Sequence, residues 1–71
     1  MELYRKMLAM VKVTEEVTFG SLEVGDTFIE GGDLYIKMSE ESPDTTDNAF
    51  CLTSGDFYAY YYNETVAKVI D

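Results

Sequence analysis

The sequence predicts a mainly β (α+β) fold, a small antiparallel barrel or strongly bent sheet of five to six short strands behind one short helix. Three observations carry this prediction. Apolar and polar residues alternate in short runs from Val13 onward, glycine-bearing turns punctuate those runs, and only the first dozen residues show helical spacing. Closing or curling such a sheet protects edges that a short chain has little else to cover.

Leu3, Met7, Leu8 and Val11 recur at helical spacing with Arg5, Lys6 and Lys12 largely opposite, so residues 2–11 read as an amphipathic helix. A helix of about ten residues is unstable alone in water and must pack on the body. "VTEEVTF" is β-branched and reads as the first strand. In "FGSLEVGD", Phe19 and Leu22 stand three apart before Gly25-Asp26, which suits one tight helical turn. "TFIE" and "LYIKMS" form a hairpin around Gly31, Gly32 and Asp33, where glycine supplies positive φ. Residues 40–48, "EESPDTTDN", make a long polar loop. "AFCL", "FYAYYY" and "TVAKVI" are the remaining strands, separated by "TSGD" and by Asn63-Glu64. In the aromatic run, period two places Phe57, Ala59 and Tyr61 inward and Tyr58, Tyr60 and Tyr62 outward as a tyrosine ladder.

With 71 residues there is one domain, 1–71, divided into a leading helix over 1–12 and an acidic β body over 13–71. An aromatic share of 14% argues for a folded chain despite the charge. Cys51 is the one cysteine, so no intramolecular disulfide forms, no cysteine-based zinc site fits, and a reducing, cytoplasmic setting is expected. Its place inside a strand, with no basic neighbour, marks a buried structural thiol rather than a nucleophile. No apolar run reaches the roughly 20 residues that span a bilayer, and "MELYRKMLAMVK" makes a poor signal peptide. Without an export signal, Asn63-Glu64-Thr65 is read as a chance match to the glycosylation pattern.

Charge is the sharpest feature. The net charge is −9, and beyond residue 12 only Lys37 and Lys68 stand against thirteen acids. Such a body repels phosphate, so direct nucleic-acid binding is disfavoured and basic protein surfaces are the expected partners. Solubility alone is the competing explanation for the charge.

Catalysis has little to work with. Histidine is absent, which removes the commonest general base and metal ligand and every Ser-His or Cys-His arrangement. Glu15-Glu16 and Glu40-Glu41 are adjacent and so are not positioned acid–base pairs. Asp44 and Asp47 do not follow the calcium-loop pattern, and no phosphate loop is present. No enzyme activity, catalytic residue, cofactor or metal site is predicted. The expected partner-binding residues are Glu23, Asp26, Glu30, Asp33, Glu40, Glu41, Asp44 and Asp47, with Tyr58, Tyr60 and Tyr62 as an additional face. Same-face carboxylates about 6.8 Å apart on a strand approach the spacing of successive phosphates, so these acids can imitate a nucleic-acid backbone.

Phe19, Leu22, Gly25, Phe28, Leu34, Tyr35, Lys37, Asn48, Ala49 and Gly55 form a Phe-x-x-Leu-x-x-Gly-x-x-Phe opening, a Leu-Tyr-x-Lys strand, an Asn-Ala strand and a glycine turn before an aromatic strand. In this the stretch from Thr18 to Asp71 resembles a recurrent kind of small protein from bacteriophage and mobile-element genomes. The resemblance implies a Src-homology-3-like barrel and a viral context, and it carries over no catalytic residue. The function expected from charge and resemblance together is a non-enzymatic inhibitor, anti-CRISPR or otherwise anti-defence. It would act in the host cytoplasm on a nucleic-acid-binding host protein through an acidic, DNA-mimicking surface. The alternative is a small barrel that binds a peptide or forms a homodimer through the Tyr58, Tyr60 and Tyr62 face.

Overall fold

The computed structural model describes residues 14–70; the helix predicted over residues 2–11 lies outside them. The described chain forms six strands, β1 (Thr14–Thr18), β2 (Thr27–Glu30), β3 (Asp33–Lys37), β4 (Ala49–Cys51), β5 (Asp56–Tyr58) and β6 (Thr65–Val69), with a single 3₁₀ turn at Phe19–Ser21. They build one antiparallel sheet in the order β1-β6-β2-β3-β4-β5.

The β2–β3 hairpin is the tightest element. Glu30 pairs with Asp33 across Gly31 and Gly32, whose φ values of 60° and 85° are both in the left-handed region that a two-residue primed turn requires. Asp33, expected in the turn, is therefore the first residue of β3.

The sheet is not closed into a barrel. β1 and β5 are its two edges, and no ladder joins them. Two irregular segments instead cross the concave side. The 3₁₀ turn follows β1, residues 59–64 follow β5, and the two are joined where Phe19 N–H donates to Glu64 O at 2.8 Å and Gly20 N–H to Tyr62 O at 2.9 Å. Gly20 makes the approach feasible, since a Cβ there would sit 3.1 Å from Tyr62 Cβ and 3.2 Å from its carbonyl oxygen.

Between sheet and crossing segments lies the core of Phe19, Leu22, Phe28, Tyr35, Ala49, Cys51, Tyr60 and Val66, with Val17 against it. The register accounts for the membership: Val17–Val66, Phe28–Tyr35 and Tyr35–Cys51 are directly opposed pairs and so share the concave face. Phe28 stacks on Tyr35 with centroids 5.2 Å apart, and Phe19 stacks on Tyr60 at 5.3 Å. Cys51 is buried within this core, as its position in the strand predicts.

The aromatic run departs from expectation. β5 ends at Tyr58, so "FYAYYY" is a three-residue strand end followed by a crossing segment. The sides are also exchanged. Phe57 pairs with Phe50 on the convex face and is 58% exposed, whereas Tyr58 packs edge-on against Tyr35 and Tyr60 is core at 8% exposure. Tyr61 is exposed rather than inward, Ala59 likewise, and no outward ladder of Tyr58, Tyr60 and Tyr62 exists.

A buried polar frame holding an acidic end

Two buried polar residues set the shape of the end of the sheet where β3 finishes and β4 begins. Lys37, inward on β3 by the same alternation as Tyr35, is fully buried. Its Nζ donates to Phe19 O at 3.1 Å and Leu22 O at 2.7 Å, lies 2.6 Å from Glu40 Oε1, and stands 4.7 Å from the centre of the Phe19 ring. The ammonium thus satisfies two carbonyls at the 3₁₀ turn, stacks on an aromatic face and anchors the start of the polar loop. Asn48, also fully buried, closes that loop. Its amide nitrogen donates to Tyr60 O at 2.9 Å and its oxygen accepts from Tyr60 N–H at 2.8 Å, while its own N–H donates to Tyr58 O and its carbonyl accepts from Met38 N–H.

The loop between them is ordered by its serines. Ser39 Oγ accepts from Glu41 N–H and Ser42 Oγ from Asp44 N–H, and Thr45 N–H and Oγ1–H both donate to Ser42 O. Local side-chain acceptors of this kind give a polar loop a defined path without a ladder. Tyr62 ties the loop to the crossing segment by donating its hydroxyl hydrogen to Glu40 O at 2.7 Å.

The topology divides the eight predicted acids between the two ends of the sheet. Gly25 N–H donates to Lys37 O and Lys37 N–H to Asp26 O, so the turn holding Glu23 and Asp26 lies at the same end as Glu40, Glu41, Asp44 and Asp47. Glu30 and Asp33 flank the hairpin at the opposite end, a strand length away. Within the larger group the roles differ. Asp26 Oδ2 accepts from Glu23 N–H at 2.8 Å and lies 3.7 Å from Lys68 Nζ, and Glu40 pairs with Lys37. Glu23, Glu41, Asp44 and Asp47 are exposed. Both lysines of the described chain are thereby committed to acids of this end, one of them buried beneath it. Of the predicted tyrosines, Tyr62 joins this end, Tyr58 lies 40% exposed at the β5 edge, and Tyr60 is inside.

Sequence reasoning passed over Lys37, Asn48, Ser39 and Ser42 as site-building residues. A signal was present for Lys37. In "LYIK" it falls two residues after Tyr35 and so shares that residue's face, which in a core strand implies a lysine with buried partners.

The core also holds three titratable groups, Tyr60, Tyr35 and Cys51. Burial pushes the Tyr60 hydroxyl well above the ordinary tyrosine range, with its hydrogen bond to Tyr35 adding to the effect; burial likewise raises Tyr35. Burial pushes the Cys51 thiol up, but hydrogen bonds from the side chains and backbone of Ser54 and Thr53 outweigh it and hold the thiol below its ordinary value. Among the described residues no cluster of three or more Asp, Glu, Cys or His is arranged to hold a metal ion. Among them, too, no helix is long and apolar enough to cross a membrane. Comparison of the chain with protein-family models, with curated proteins and with solved structures finds no match in any of the three.

Proposed function

We propose that this is a non-enzymatic binding protein that occupies the basic, nucleic-acid-binding surface of another protein with its acidic end and so inhibits it. The observation that carries the reading is the convergence at one end of Glu23 and Asp26, on the turn before β2, with Glu40, Glu41, Asp44 and Asp47, on a loop held by Lys37, Asn48 and two serines. Carboxylates held in place lose less freedom on binding than those of a loose tail, which favours specific over diffuse attraction. In the viral context implied by the sequence resemblance, the target would be a host defence protein, CRISPR-associated or similar, and the site of action the host cytoplasm.

The test is affinity capture from the host lysate with the wild-type chain and with a Glu23→Gln, Glu41→Gln, Asp44→Asn, Asp47→Asn variant, followed by elution with DNA or salt. The reading requires a nucleic-acid-binding protein that is captured by the wild type, released by competing DNA and by a few hundred millimolar salt, and lost with the variant. Capture that is equal for both proteins and insensitive to salt overturns it. That result would favour the alternative of a peptide-binding or self-associating module, now restricted to Tyr58 and Tyr62 because Tyr60 is buried.

A further inference from the structure

The convex face of the sheet is apolar across its middle. Ala67 opposes Ile29, Ile29 opposes Leu34, and Ile36, Phe50 and Phe57 form an adjoining row, with the two phenylalanine rings 5.0 Å apart. An antiparallel sheet with one solvated side places polar residues there. This one is apolar on both sides, in a chain whose net charge is −9. No described element lies across the convex face: all six strands are in the sheet, and Phe19 of the 3₁₀ turn belongs to the core on the concave side. A contiguous apolar face of this kind is a docking surface.

We propose that its occupant is the chain's own leading segment, residues 2–11, set down with Leu3, Met7, Leu8 and Val11 against Ile29, Ile36, Phe50 and Phe57. Three features select it over other occupants. The described chain begins at Thr14, which pairs with Val69 on the convex side of β1–β6, in the same alternation as Ala67, so the segment enters at the border of this face. Ten residues at helical rise span about 15 Å, which matches the roughly 14 Å of three strand spacings from β2 to β5, the strands that carry these four residues. Its charge is complementary in sign as well, since Arg5, Lys6 and Lys12 outnumber Glu2 in a segment joined to a body rich in acids. A second copy would bring another acidic body, with the same net charge of −9, against the first.

The experiment uses the full chain, isotopically labelled, and reads nuclear Overhauser contacts from the Met7 and Leu8 methyl groups to the Phe50 and Phe57 rings. An equimolar mixture of labelled and unlabelled chain separates contacts within a molecule from contacts between molecules. Intramolecular contacts support the proposal. Their absence overturns it, and contacts seen only between copies overturn it in favour of a dimer. In Leu8→Glu, the resonances of Ile36, Phe50 and Phe57 are expected to shift while those of Phe28, Tyr35 and Val66 stay in place. A spectrum unchanged at the convex face would sink the proposal independently.

Discussion

The side-chain amide of Asn48 engages both backbone groups of Tyr60, donating to its carbonyl at 2.9 Å and accepting from its N–H at 2.8 Å. The pairing does what a neighbouring strand would do for one residue, and it does so where β5 has just ended. It turns the chain inward, places the Tyr60 ring between Phe19 and Tyr35, and commits residues 59–64 to crossing the concave side.

Replacing Asn48 by alanine removes the partners of two backbone groups in the interior. Leaving a buried donor or acceptor unmet costs about 1–3 kcal/mol each, so Asn48→Ala is expected to destabilise the domain by about 2–4 kcal/mol. Urea denaturation followed by tyrosine fluorescence measures this. A loss below about 1 kcal/mol would mean that water replaces the amide without cost.

The same pairing explains which parts of the fold were legible in the sequence. Strand alternation and the Gly31-Gly32 pair are local signals, and they locate β2, β3, β6 and the hairpin. Whether "FYAYYY" continues as a strand depends on Asn48, which stands 12 residues before Tyr60, and no local pattern reports that contact. The barrel expectation fails for a related reason: hydrogen bonds from the turn after β1 go to the crossing segment at Glu64 and Tyr62, and none closes β1 onto β5. The acids of the candidate surface are visible as residues, but their division between two ends of the sheet follows from register alone.

Lys37 provides a second prediction. Its principal work is to donate to Phe19 O and Leu22 O, because Glu40, its ionic partner, is itself 60% exposed. Lys37→Met keeps most of the aliphatic volume but strands both carbonyls, and a loss of about 2–4 kcal/mol is expected. Glu40→Gln leaves the carbonyl bonds intact and should cost less than about 1 kcal/mol. Thermal or chemical denaturation of the two variants decides the matter, and equal losses would show that the ion pair, not the carbonyl contacts, holds the turn.

Alkaline pH gives a third. Tyr60 and Tyr35 are raised above the ordinary tyrosine value by burial, so the native state holds their protons after the unfolded chain has released them. The unfolded state then binds fewer protons, and stability falls as pH rises above about 10, where free tyrosine titrates. Below that pH both states are protonated and these groups make no pH-dependent contribution. Denaturation midpoints measured across the onset of tyrosine titration should decline at the upper end, and the decline should be shallower in Tyr60→Phe. An equal slope in that variant would remove Tyr60 as the cause.

Gly20 supplies the last. Its φ is not in the left-handed region, so alanine there meets no backbone penalty, only crowding by Tyr62 Cβ at 3.1 Å and Tyr62 O at 3.2 Å. Both atoms belong to the backbone or are attached directly to it, so no side-chain rotation relieves the contact. The crossing segment must move by a few tenths of an ångström, lengthening the Gly20 N–H to Tyr62 O bond and, through Tyr62, disturbing the hydroxyl contact with Glu40 O. Gly20→Ala is expected to cost about 1–2 kcal/mol and to speed amide exchange at residue 20 more than in the β2–β3 hairpin. If the segment also holds the acidic loop in place, partner capture should weaken in this variant although no charge has changed. Stability loss with undiminished capture would show that the loop keeps its form through Lys37, Asn48 and the serines alone.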